Sequence, residues 1–227
     1  ITDEIMVNEI GGIPLIRLRE KKINGYKKLL KSAEDYVLGT IALMLVWPII
    51  LFTAIAIKLD SPGPVFFRHK RVGKNGECFE CLKFRSMVDG ASKMQEEMVN
   101  GDAEAEHGWL CWKVQEDPRI TRVGKWIRKF SIDELPQLFN VLTGKMSIVG
   151  PRPHIKEEVQ EYKEWHKQRL NVKPGITGLW QVSGRSDLPF DEMIKLDLYY
   201  IETWSVDRDF KIVMGTFSAI VSSNGAY

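Results

Sequence analysis

The longest apolar run of the chain, Tyr36 to Ile57, contains no charged side chain and is interrupted near its middle by Pro48. A straight helix over this run would rise about 33 Å, enough to cross a hydrocarbon core of about 30 Å. A proline inside a helix removes one backbone hydrogen bond and clashes with the preceding turn, so it kinks or breaks the helix. The run therefore predicts a membrane segment of two helical arms, neither of which spans the bilayer alone.

Basic residues flank this segment on both sides, and basic flanks favour the cytoplasmic face of a membrane. They are Lys21, Lys22, Lys27, Lys28 and Lys31 before the segment, and Lys58, Arg68, Lys70, Arg71 and Lys74 after it. Because both ends then lie on one face, we expect a re-entrant helix-break-helix hairpin that dips into one leaflet. The alternative is a kinked transmembrane helix, which would place residues 1 to 35 across the membrane from the rest.

The pattern divides the chain into three parts. Residues 1 to 20 contain a short apolar run that is typical of a closing strand, so we expect a remnant of a preceding domain. Residues 21 to 60 form a basic lead-in and the re-entrant membrane hairpin, which ends at Asp60-Ser-Pro-Gly-Pro64 because this stretch cannot continue a helix. Residues 61 to 227 are expected to form one cytoplasmic domain.

Two β-prone runs, Val65 to Val72 and Cys78 to Phe84, predict a β-hairpin that turns at Asn75-Gly76. Helical patterns dominate the remainder of the domain. They cover residues 89–100, 118–130, a helix from Ile132 or Asp133 to a C-terminal cap at Gly144, and residues 155–172, 190–204 and 210–222. The predicted fold is α+β and mostly helical, a monotopic membrane protein with interfacial amphipathic helices and a small β-hairpin.

Residues 119 to 129 carry several basic side chains and no acidic one, together with the aromatic residues Trp126 and, just beyond, Phe130. Aromatic side chains opposite lysine and arginine are typical of a helix that lies in the membrane interface. The other reading, in which Trp126 and Phe130 face the protein core, is equally compatible with the pattern. The overall net charge of +2 is too small to favour a nucleic-acid-binding protein.

The three cysteines are Cys78, Cys81 and Cys111. The first two have CxxC spacing, but without a second such pair a closed zinc site is not expected. Residues three apart on a strand point to opposite faces, which disfavours a disulfide between Cys78 and Cys81. We therefore expect all three to be reduced and structural.

Asp133 and Glu134 are adjacent carboxylates at a predicted helix start, just after the basic segment. A helix N-terminus stabilises ionised carboxylates and also attracts phosphates. An ionised aspartate is a competent oxygen nucleophile, and a neighbouring carboxylate is the hard ligand that Mg²⁺ prefers. The alternative is purely structural, because Asp and Glu are common at helix starts and Ser131-x-x-Glu134 matches a capping box.

Several basic residues are candidates to surround one phosphorylated ligand near these carboxylates. They are Lys83 and Arg85 after the hairpin, Arg128 in the basic segment and Arg152 in a proline-flanked loop. Taken singly, each would be a solvated or salt-bridged surface residue. A phosphoryl transfer needs a nucleophile, a divalent metal and cations over the developing charge, which this set would provide. Neither a P-loop nor a dinucleotide-binding glycine motif is present.

Six ordered motifs carry a family resemblance. They are Pro62-Gly-Pro-Val-Phe66, Lys83-Phe-Arg-Ser-Met87, Asp117-Pro-Arg-Ile-Thr121, Asp133-Glu-Leu-Pro-Gln-Leu138, Val149-Gly-Pro-Arg-Pro153, and Lys173-Pro-Gly-Ile-Thr-Gly178 with Gln181 and Gly184-Arg185. From Leu30 to Tyr227 the chain closely resembles the bacterial sugar transferases, the monotopic phosphoglycosyl transferases that start glycan assembly on undecaprenyl phosphate. Its ending, Asn224-Gly-Ala-Tyr227, is most similar to the larger members, the undecaprenyl-phosphate galactose phosphotransferases.

The resemblance implies a ping-pong reaction in which Asp133 attacks the β-phosphate of a UDP-sugar, releases UMP and holds a covalent sugar-phosphate. Undecaprenyl phosphate then attacks this intermediate, and Glu134 binds Mg²⁺ at the diphosphate. The residues that match substrate-binding positions or motifs of the family are Lys83, Arg85, Arg128, Arg152, Pro153, Gln181 and Arg185. Pro48 matches the family's re-entrant hairpin, and UDP-galactose or UDP-glucose is the expected donor.

The resemblance also implies a cellular setting. The expected location is the cytoplasmic face of the bacterial inner membrane, and the partners are UDP-sugar, undecaprenyl phosphate, membrane lipids and, as in larger relatives, a second copy in a homodimer. The reaction would be the first membrane step of lipopolysaccharide O-antigen, capsule or exopolysaccharide synthesis. Two alternatives stay open: direct attack by the lipid phosphate without a covalent intermediate, and a membrane-anchored scaffold module.

Overall fold

The computed structural model describes residues 7–10, 13–16, 25–91, 94, 117–183 and 188–221 of the chain. Cys111, the Gly184-Arg185 motif and most of the helix predicted over residues 89–100 lie outside the described residues. Near the start, β1 (Val7–Ile10) and β2 (Ile13–Ile16) pair as a short antiparallel hairpin. The single closing strand expected in this region is therefore two strands.

One helix, α1 (Tyr26–Asp60), contains the whole apolar run, and Pro48 lies inside it. The helix assignment is continuous through Pro48, so the predicted separation into two helices is not observed. A proline inside an apolar helix costs one backbone hydrogen bond and can bend the helix without ending it. The re-entrant path of the segment stays a prediction.

Both ends of α1 are hydrogen-bonded to the same domain. Near its start, Asp35 Oδ1 accepts hydrogen bonds from Ser147 Oγ at 2.8 Å and from the amide of Ile148 at 3.0 Å. At its last residue, Asp60 Oδ2 accepts a hydrogen bond from the amide of Val123 at 3.0 Å. The domain that follows α1 therefore contacts the helix on both sides of the apolar run.

The middle of α1 is free of such contacts, because no residue between Gly39 and Thr53 is buried. By length and composition the helix is able to cross a membrane, and 11% of its most apolar stretch is buried in the protein. A core helix of a soluble protein would be mostly buried. The exposure of α1 therefore favours membrane association.

The predicted hairpin is confirmed as β3 (Phe66–Val72) and β4 (Cys78–Phe84), paired antiparallel. Asn75 and Gly76 both have positive φ angles, 57° and 82°, which a tight hairpin turn requires. Cys78 is exposed and Cys81 is buried, and both are free thiols as expected. The alternation along β4 places Cys81 in the core and leaves Cys78 in solvent.

Helix α2 (Arg122–Lys129) lies in the basic segment and packs closely on the chain that follows β4. A Cβ atom at Gly124 would collide with the carbonyl of Ser86, so only glycine permits this approach. Trp126 is 64% exposed, so the reading that placed its ring in the core is wrong. The buried residue of this helix's apolar side is Ile127.

Helix α3 (Gln137–Leu142) begins later than predicted. A separate 3₁₀ turn, Ile132–Glu134, precedes it, and Ser131 has a left-handed backbone with φ 54° and no side-chain capping bond. The capping box read from the sequence is therefore not formed. The predicted C-terminal cap is confirmed, because Gly144 has φ 75° and its amide donates to the carbonyl of Val141.

The second half of the domain contains a parallel pair that the pattern did not reveal, β5 (Ser147–Val149) and β6 (Gly175–Thr177). Between them, the helix predicted over residues 155–172 is instead a short α4 (Lys156–Gln160) and a 3₁₀ segment (His166–Asn171). The predicted single helix is wrong because side chains in this stretch are held by partners elsewhere in the domain, as described below.

The last helices are α5 (Leu179–Ser183), α6 (Phe190–Glu202) and α7 (Val206–Val221). The two long ones confirm the helices predicted over residues 190–204 and 210–222, although α7 begins earlier. A core cluster of Val149, Tyr200, Ile201, Trp204 and Ile212 joins α6 and α7 to β5. The observed fold is α+β and mostly helical, as the sequence predicts.

Candidate active site

Asp133 and Glu134 lie on the 3₁₀ turn that precedes α3. The left-handed backbone of Ser131 directs the chain into this turn, and the turn is closed by the amide of Leu135, which donates to the carbonyl of Ile132. Both carboxylates are mostly enclosed, with side chains 14% and 19% exposed for Asp133 and Glu134. The turn therefore presents two adjacent acidic groups in a sheltered place.

Lys83, near the end of β4, lies between these carboxylates. Its Nζ atom is 2.7 Å from Glu134 Oε1 and 3.9 Å from Asp133 Oδ2. Lys83 therefore donates a hydrogen bond to Glu134, whereas its charge acts on Asp133 over a longer distance. The pairing joins residues 51 positions apart, as the Lys83 and Asp133-Glu134 motifs implied.

Asn140 of α3 fixes the strand that carries Lys83. Its side chain is buried, its Oδ1 accepts a hydrogen bond from the amide of Leu82 at 2.9 Å, and its Nδ2 donates to the carbonyl of Glu80 at 2.8 Å. One amide side chain thus replaces a neighbouring strand at the edge of β4. Because α3 follows the carboxylate turn directly, this contact sets the distance between that turn and Lys83.

Arg152 approaches the site from the proline-flanked loop after β5. Its Nη2 atom lies 3.5 Å from Glu134 Oε1, on the same carboxylate oxygen that binds Lys83. The predicted convergence of Lys83, Arg152 and Glu134 is therefore present in the structure. Pro153 lies beside Arg152, and its carbonyl accepts a hydrogen bond from Arg71 Nη1 at 3.3 Å.

The loop that carries Arg152 is held at four consecutive carbonyl groups. The donors are the amide of Gly175 to Pro151, Nη2 of Arg169 to Arg152, Nη1 of Arg71 to Pro153, and the amide of Val72 to His154. Three of these distances are 2.9 Å and the Arg71 distance is 3.3 Å. Because the donors come from separate parts of the domain, the loop backbone is rigidly placed.

Arg169 itself belongs to a buried network. Its Nη2 atom lies 2.6 Å from Asp197 Oδ2, and its Nη1 donates to the hydroxyl of Tyr162 at 2.6 Å. The Tyr162 hydroxyl also lies 2.7 Å from His154 Nδ1. These contacts hold the chain between α4 and α6 and explain why residues 155–172 do not form one helix.

Arg71 is a cation of the site that the sequence motifs did not identify. It lies on β3, its charge acts on Glu134 and on Arg152, and burial followed by the charge of Arg152 lowers its pKa. Its Nη2 contacts His69 Nδ1 at 3.1 Å, and burial together with the charges of Arg71 and Lys83 lowers the pKa of His69 to about 4. His69 is therefore neutral beside these cations near pH 7.

The other predicted binding residues have different surroundings. Arg128 is exposed on α2. Burial raises the pKa of Asp133, and the positive charge of Arg128 partly offsets this rise. Arg85 is 6% exposed and donates to the carbonyls of Pro62 and Ser61, so its described contacts support the end of α1. Substrate binding by Arg85 stays a prediction that these contacts do not favour.

Gln181 lies on α5, which follows β6 in the chain. Its Oε1 atom is buried without a described partner. None of its described contacts is with Asp133 or Glu134. Arg185 lies outside the described residues, so its predicted role is not addressed by the structure.

The two carboxyl groups differ in acidity. Burial raises the pKa of Asp133, the charge of Glu134 raises it further, and Lys83 opposes both. Burial also raises the pKa of Glu134, but Arg152, Lys83 and Arg71 outweigh this and hold it at about 2. Groups whose environments push their pKa values apart are typical of catalytic pairs.

The carboxylate oxygens of the candidate site are compatible with binding of Mg²⁺, the metal that the sequence predicts. Mg²⁺ is commonly bound by one or two carboxylates together with substrate phosphates and water. Glu134 is ionised, and its described polar contacts all use Oε1, which leaves Oε2 for such a role. Among the described residues, no group of three or more His, Cys, Asp and Glu side chains forms a complete protein cage.

Comparison with known proteins identifies the family of this chain. Residues 26–223 match the family model described as bacterial sugar transferase. The chain belongs to the bacterial sugar transferase family. Another member of this family, the exopolysaccharide production protein ExoY of Rhizobium meliloti, is 40% identical over 198 residues, which are 87% of this chain and 88% of that protein.

Two longer sugar transferases are also similar. The undecaprenyl-phosphate galactose phosphotransferase of Salmonella typhimurium is 39% identical over 216 residues, 95% of this chain and 45% of that protein. The UDP-glucose:undecaprenyl-phosphate glucose-1-phosphate transferase of Escherichia coli is 41% identical over 229 residues, 97% of this chain and 46% of that protein. This chain spans about half the length of these relatives.

Sequence motifs did not identify three residues that organise the candidate site: Arg71, Asn140 and Arg169. Arg71 lies among other polar residues of β3, Asn140 lies on α3 and Arg169 lies in a 3₁₀ segment. Each contacts residues that are distant in the sequence. Asn140 is the one that the sequence could most easily have predicted, because an asparagine on the buried side of a predicted helix needs a hydrogen-bonding partner.

Proposed function

We propose that this chain moves a hexose-1-phosphate from a UDP-sugar to undecaprenyl phosphate, giving undecaprenyl-diphospho-sugar and UMP. The observation that carries the proposal is Lys83, whose Nζ lies 2.7 Å from Glu134 and 3.9 Å from Asp133. One ammonium group beside two adjacent carboxylates reduces their mutual repulsion and leaves them in different environments. The names of the longer relatives describe this class of reaction for those proteins.

Asp133 is the nucleophile in this proposal, because Glu134 is occupied by Lys83 and Arg152 while Asp133 is more loosely held. An Oδ atom of Asp133 forms a bond to the sugar-bearing phosphorus, and the P–O bond to UMP breaks with its electron pair leaving on UMP. A phosphate oxygen of undecaprenyl phosphate then attacks the same phosphorus. The bond to Asp133 breaks, and its carboxylate is restored.

The surrounding cations stabilise the charge that develops on the phosphoryl oxygens. Arg152 and Arg71 converge on Glu134, and Arg128 lies on the Asp133 side of the site. Mg²⁺, held by Glu134 when bound, would add Lewis-acid stabilisation of the diphosphate. The metal requirement is tested by the dependence of UMP release on added Mg²⁺ and by its loss in Glu134→Gln.

The donor is proposed to be UDP-galactose or UDP-glucose. The names of the two longer relatives support both sugars, galactose for one protein and glucose for the other. Discrimination between two hexoses that differ at one hydroxyl depends on a few hydrogen bonds. A panel of UDP-sugars therefore decides the donor. The reaction would begin exopolysaccharide or lipopolysaccharide synthesis.

The catalytic domain is proposed to lie on the cytoplasmic face of the bacterial inner membrane, with α1 as a re-entrant segment. The hydrogen bonds of Asp35 and Asp60 to one domain support this path, because a crossing helix would carry its two ends to opposite sides. The exposed stretch between Gly39 and Thr53 would then lie in the lipid. Self-association as a homodimer is a further expectation.

The reaction is tested by UMP release from each UDP-sugar, with and without undecaprenyl phosphate, for the wild type and Asp133→Asn. Lipid-dependent release that falls at least about a thousandfold in Asp133→Asn is expected, because the nucleophile is removed while the fold is kept. Folded protein that releases no UMP with any sugar would instead favour a membrane-anchored scaffold in which the carboxylates have only structural roles.

The covalent step needs its own test, because direct attack by the lipid phosphate gives the same products. Incubation with a UDP-sugar radiolabelled in the sugar, without lipid acceptor, is expected to label the wild-type protein and not Asp133→Asn. A protein that turns over normally but never carries label would support direct attack, with both carboxylates binding metal.

The path of α1 is tested by labelling single cysteines with a membrane-impermeant maleimide in intact spheroplasts. Lys27→Cys and Lys70→Cys are suitable because both positions are exposed and flank the apolar run. The native residues are first replaced as Cys78→Ser, Cys81→Ala and Cys111→Ser. A re-entrant segment predicts no labelling of either cysteine until the membrane is permeabilised, whereas labelling of Lys27→Cys alone in intact spheroplasts indicates a crossing helix.

A further inference from the structure

Three lysines from separate elements converge on a small pocket at the tip of the β3–β4 hairpin. Lys28 comes from the first turn of α1, Lys74 from the hairpin turn and Lys173 from the segment before β6. The pocket has a volume of about 60 Å³. Sites for drug-sized or nucleotide ligands are several times larger, so this pocket fits a small group.

The pocket is distinct from the catalytic carboxylates. Lys83 lies near the opposite end of the hairpin, five residues along β4 from Cys78. At about 3.3 Å per residue, these positions are about 17 Å apart along the strand. A ligand in the lysine pocket therefore does not occupy the site beside Asp133 and Glu134.

The acidic groups at the pocket are already occupied. Lys31, a fourth lysine in the wall, lies 2.9 Å from Asp35 Oδ1 and 2.7 Å from Asp209 Oδ2. Asp35 also accepts hydrogen bonds from Ser147 and from the amide of Ile148. The acidic side chains therefore neutralise Lys31 and leave the other three lysines without acidic partners.

Across the part of the chain that the structure describes, none of the ion pairs involves Lys28, Lys74 or Lys173. Lys28, Lys74 and Lys173 line the same small pocket, and ammonium groups are hydrogen-bond donors without an acceptor, so they cannot satisfy one another. Burial, followed by the charges of Lys28 and Lys173, lowers the pKa of Lys74. An anion in the pocket would accept hydrogen bonds from all three.

The pocket also lies at the level where α1 enters its apolar segment. Lys28 precedes Tyr36 by eight residues, about 12 Å along a helix. Lys173 Nζ and Tyr36 Oη both lie beside Gly144, at 3.7 Å and 3.3 Å from the position a Cβ atom would take there. Tyr36 is 46% exposed, and tyrosines are enriched at the headgroup level of membranes.

We propose that the pocket formed by Lys28, Lys74 and Lys173 binds a phosphate group, supplied by the headgroup of an anionic membrane phospholipid. A phosphate offers several acceptor oxygens to ammonium donors that converge from different directions. Lysine side chains near the membrane surface attract anionic lipid headgroups. The site would fix the tip of the hairpin, and with it the domain, at the membrane surface.

The test measures the thermal midpoint Tm of detergent-solubilised protein titrated with soluble short-chain phosphatidylglycerol. A ligand that binds only the folded state raises Tm, and a rise of roughly 5 °C is expected near saturation. Parallel titrations use inorganic phosphate and short-chain phosphatidylcholine. A rise with phosphatidylglycerol alone assigns the pocket to lipid headgroups, and an equal rise with inorganic phosphate keeps the phosphate site but assigns it a soluble ligand.

The deciding variant is Lys74→Gln combined with Lys173→Gln, which is expected to lose the Tm rise. Without ligand, its Tm is expected to equal or exceed that of the wild type because mutual repulsion is relieved. Lys167→Gln with Lys195→Gln is the matched control, since it removes two exposed lysines elsewhere and keeps the rise. No rise with phosphatidylglycerol or phosphate, or an equal rise in the pocket variant, would overturn the proposal.

Discussion

Arg169 Nη2 lies 2.6 Å from Asp197 Oδ2, and both side chains are at most 2% exposed. The same Nη2 atom donates to the carbonyl of Arg152 at 2.9 Å. A buried ion pair is thus connected directly to the loop that carries an arginine of the candidate active site. Arg169 is a positioning residue in this arrangement, because its guanidinium contacts the backbone of Arg152 and not the carboxylates of the candidate site.

Replacing Arg169 by lysine is expected to lower kcat/KM by about ten- to a hundredfold, since a lysine has no planar fork to bind Asp197, Tyr162 and the Arg152 carbonyl together. The measurement is a double-mutant cycle with Arg152→Ala. If Arg169 acts through Arg152, the second substitution adds little to the first. Fully additive losses would show that Arg169 affects the reaction by another route.

Asp197→Asn is expected to destabilise the protein by about 3–5 kcal/mol, because it leaves the charge of Arg169 buried without its partner. Chemical denaturation of the solubilised protein measures this change. The exposed pair of Lys195 and Glu192 supplies the control, and Lys195→Gln is expected to change stability by less than about 1 kcal/mol. Similar losses in the two variants would contradict the importance of burial.

Lys83→Met is expected to lower kcat by about a hundred- to a thousandfold. The change removes the cation that lies beside both Glu134 and Asp133, and losses of this size follow removal of one stabilising donor from an active site. Lys83→Arg keeps the charge and is expected to retain more activity. Lys70→Met, on an exposed position of β3, is the control and should leave kcat unchanged.

The acid side of the pH–rate profile is expected to lie above pH 3.8, the ordinary pKa of an aspartate, because burial raises the pKa of Asp133. In the proposed reaction Asp133 must be ionised to attack phosphorus, so kcat/KM is expected to rise with pH through this pKa. Since Lys83 lowers the same pKa, Lys83→Met should move the acid limb to higher pH. A limb that does not move would show that another group controls it.

Asp35→Ala is expected to destabilise the protein by about 1–3 kcal/mol. The amide of Ile148 loses its carboxylate partner in a poorly hydrated place, and an unsatisfied buried donor costs about this much. Thermal unfolding in detergent measures the effect. Glu164→Ala is the comparison, because Glu164 is 89% exposed and its ion pair with Lys167 is worth little.

Gly175→Ala is expected to destabilise the fold by more than about 3 kcal/mol, since a Cβ atom would collide with the backbone of Gly150 across the β5–β6 pair. The change also disturbs the amide that holds the Pro151 carbonyl, so activity should fall with stability. Gly76→Ala provides the contrast. Its surroundings are open, and only its positive φ of 82° should cost about 1 kcal/mol.

The sequence by itself determined the elements whose signals are local. The apolar run of α1, the hairpin turn at Asn75-Gly76 and the cap at Gly144 each depend on the chemistry of a few neighbouring residues. The ordered motifs also indicated the carboxylate pair and Lys83 as candidates, and these residues lie close together in the structure. The predicted hairpin turn and cap are confirmed because turn residues restrict the backbone directly.

Only the tertiary structure decided how distant residues meet. The 3₁₀ turn before α3 and the exposure of Trp126 depend on neighbours that the local pattern does not specify. The local pattern also left open whether Pro48 kinks or breaks α1, which is continuous in the structure. The contacts of Arg71 and Arg169 with the loop that carries Arg152 likewise depend on how the loop packs in the domain. The physical reason is that a hydrogen bond between side chains many residues apart exists only after packing brings them within about 3 Å.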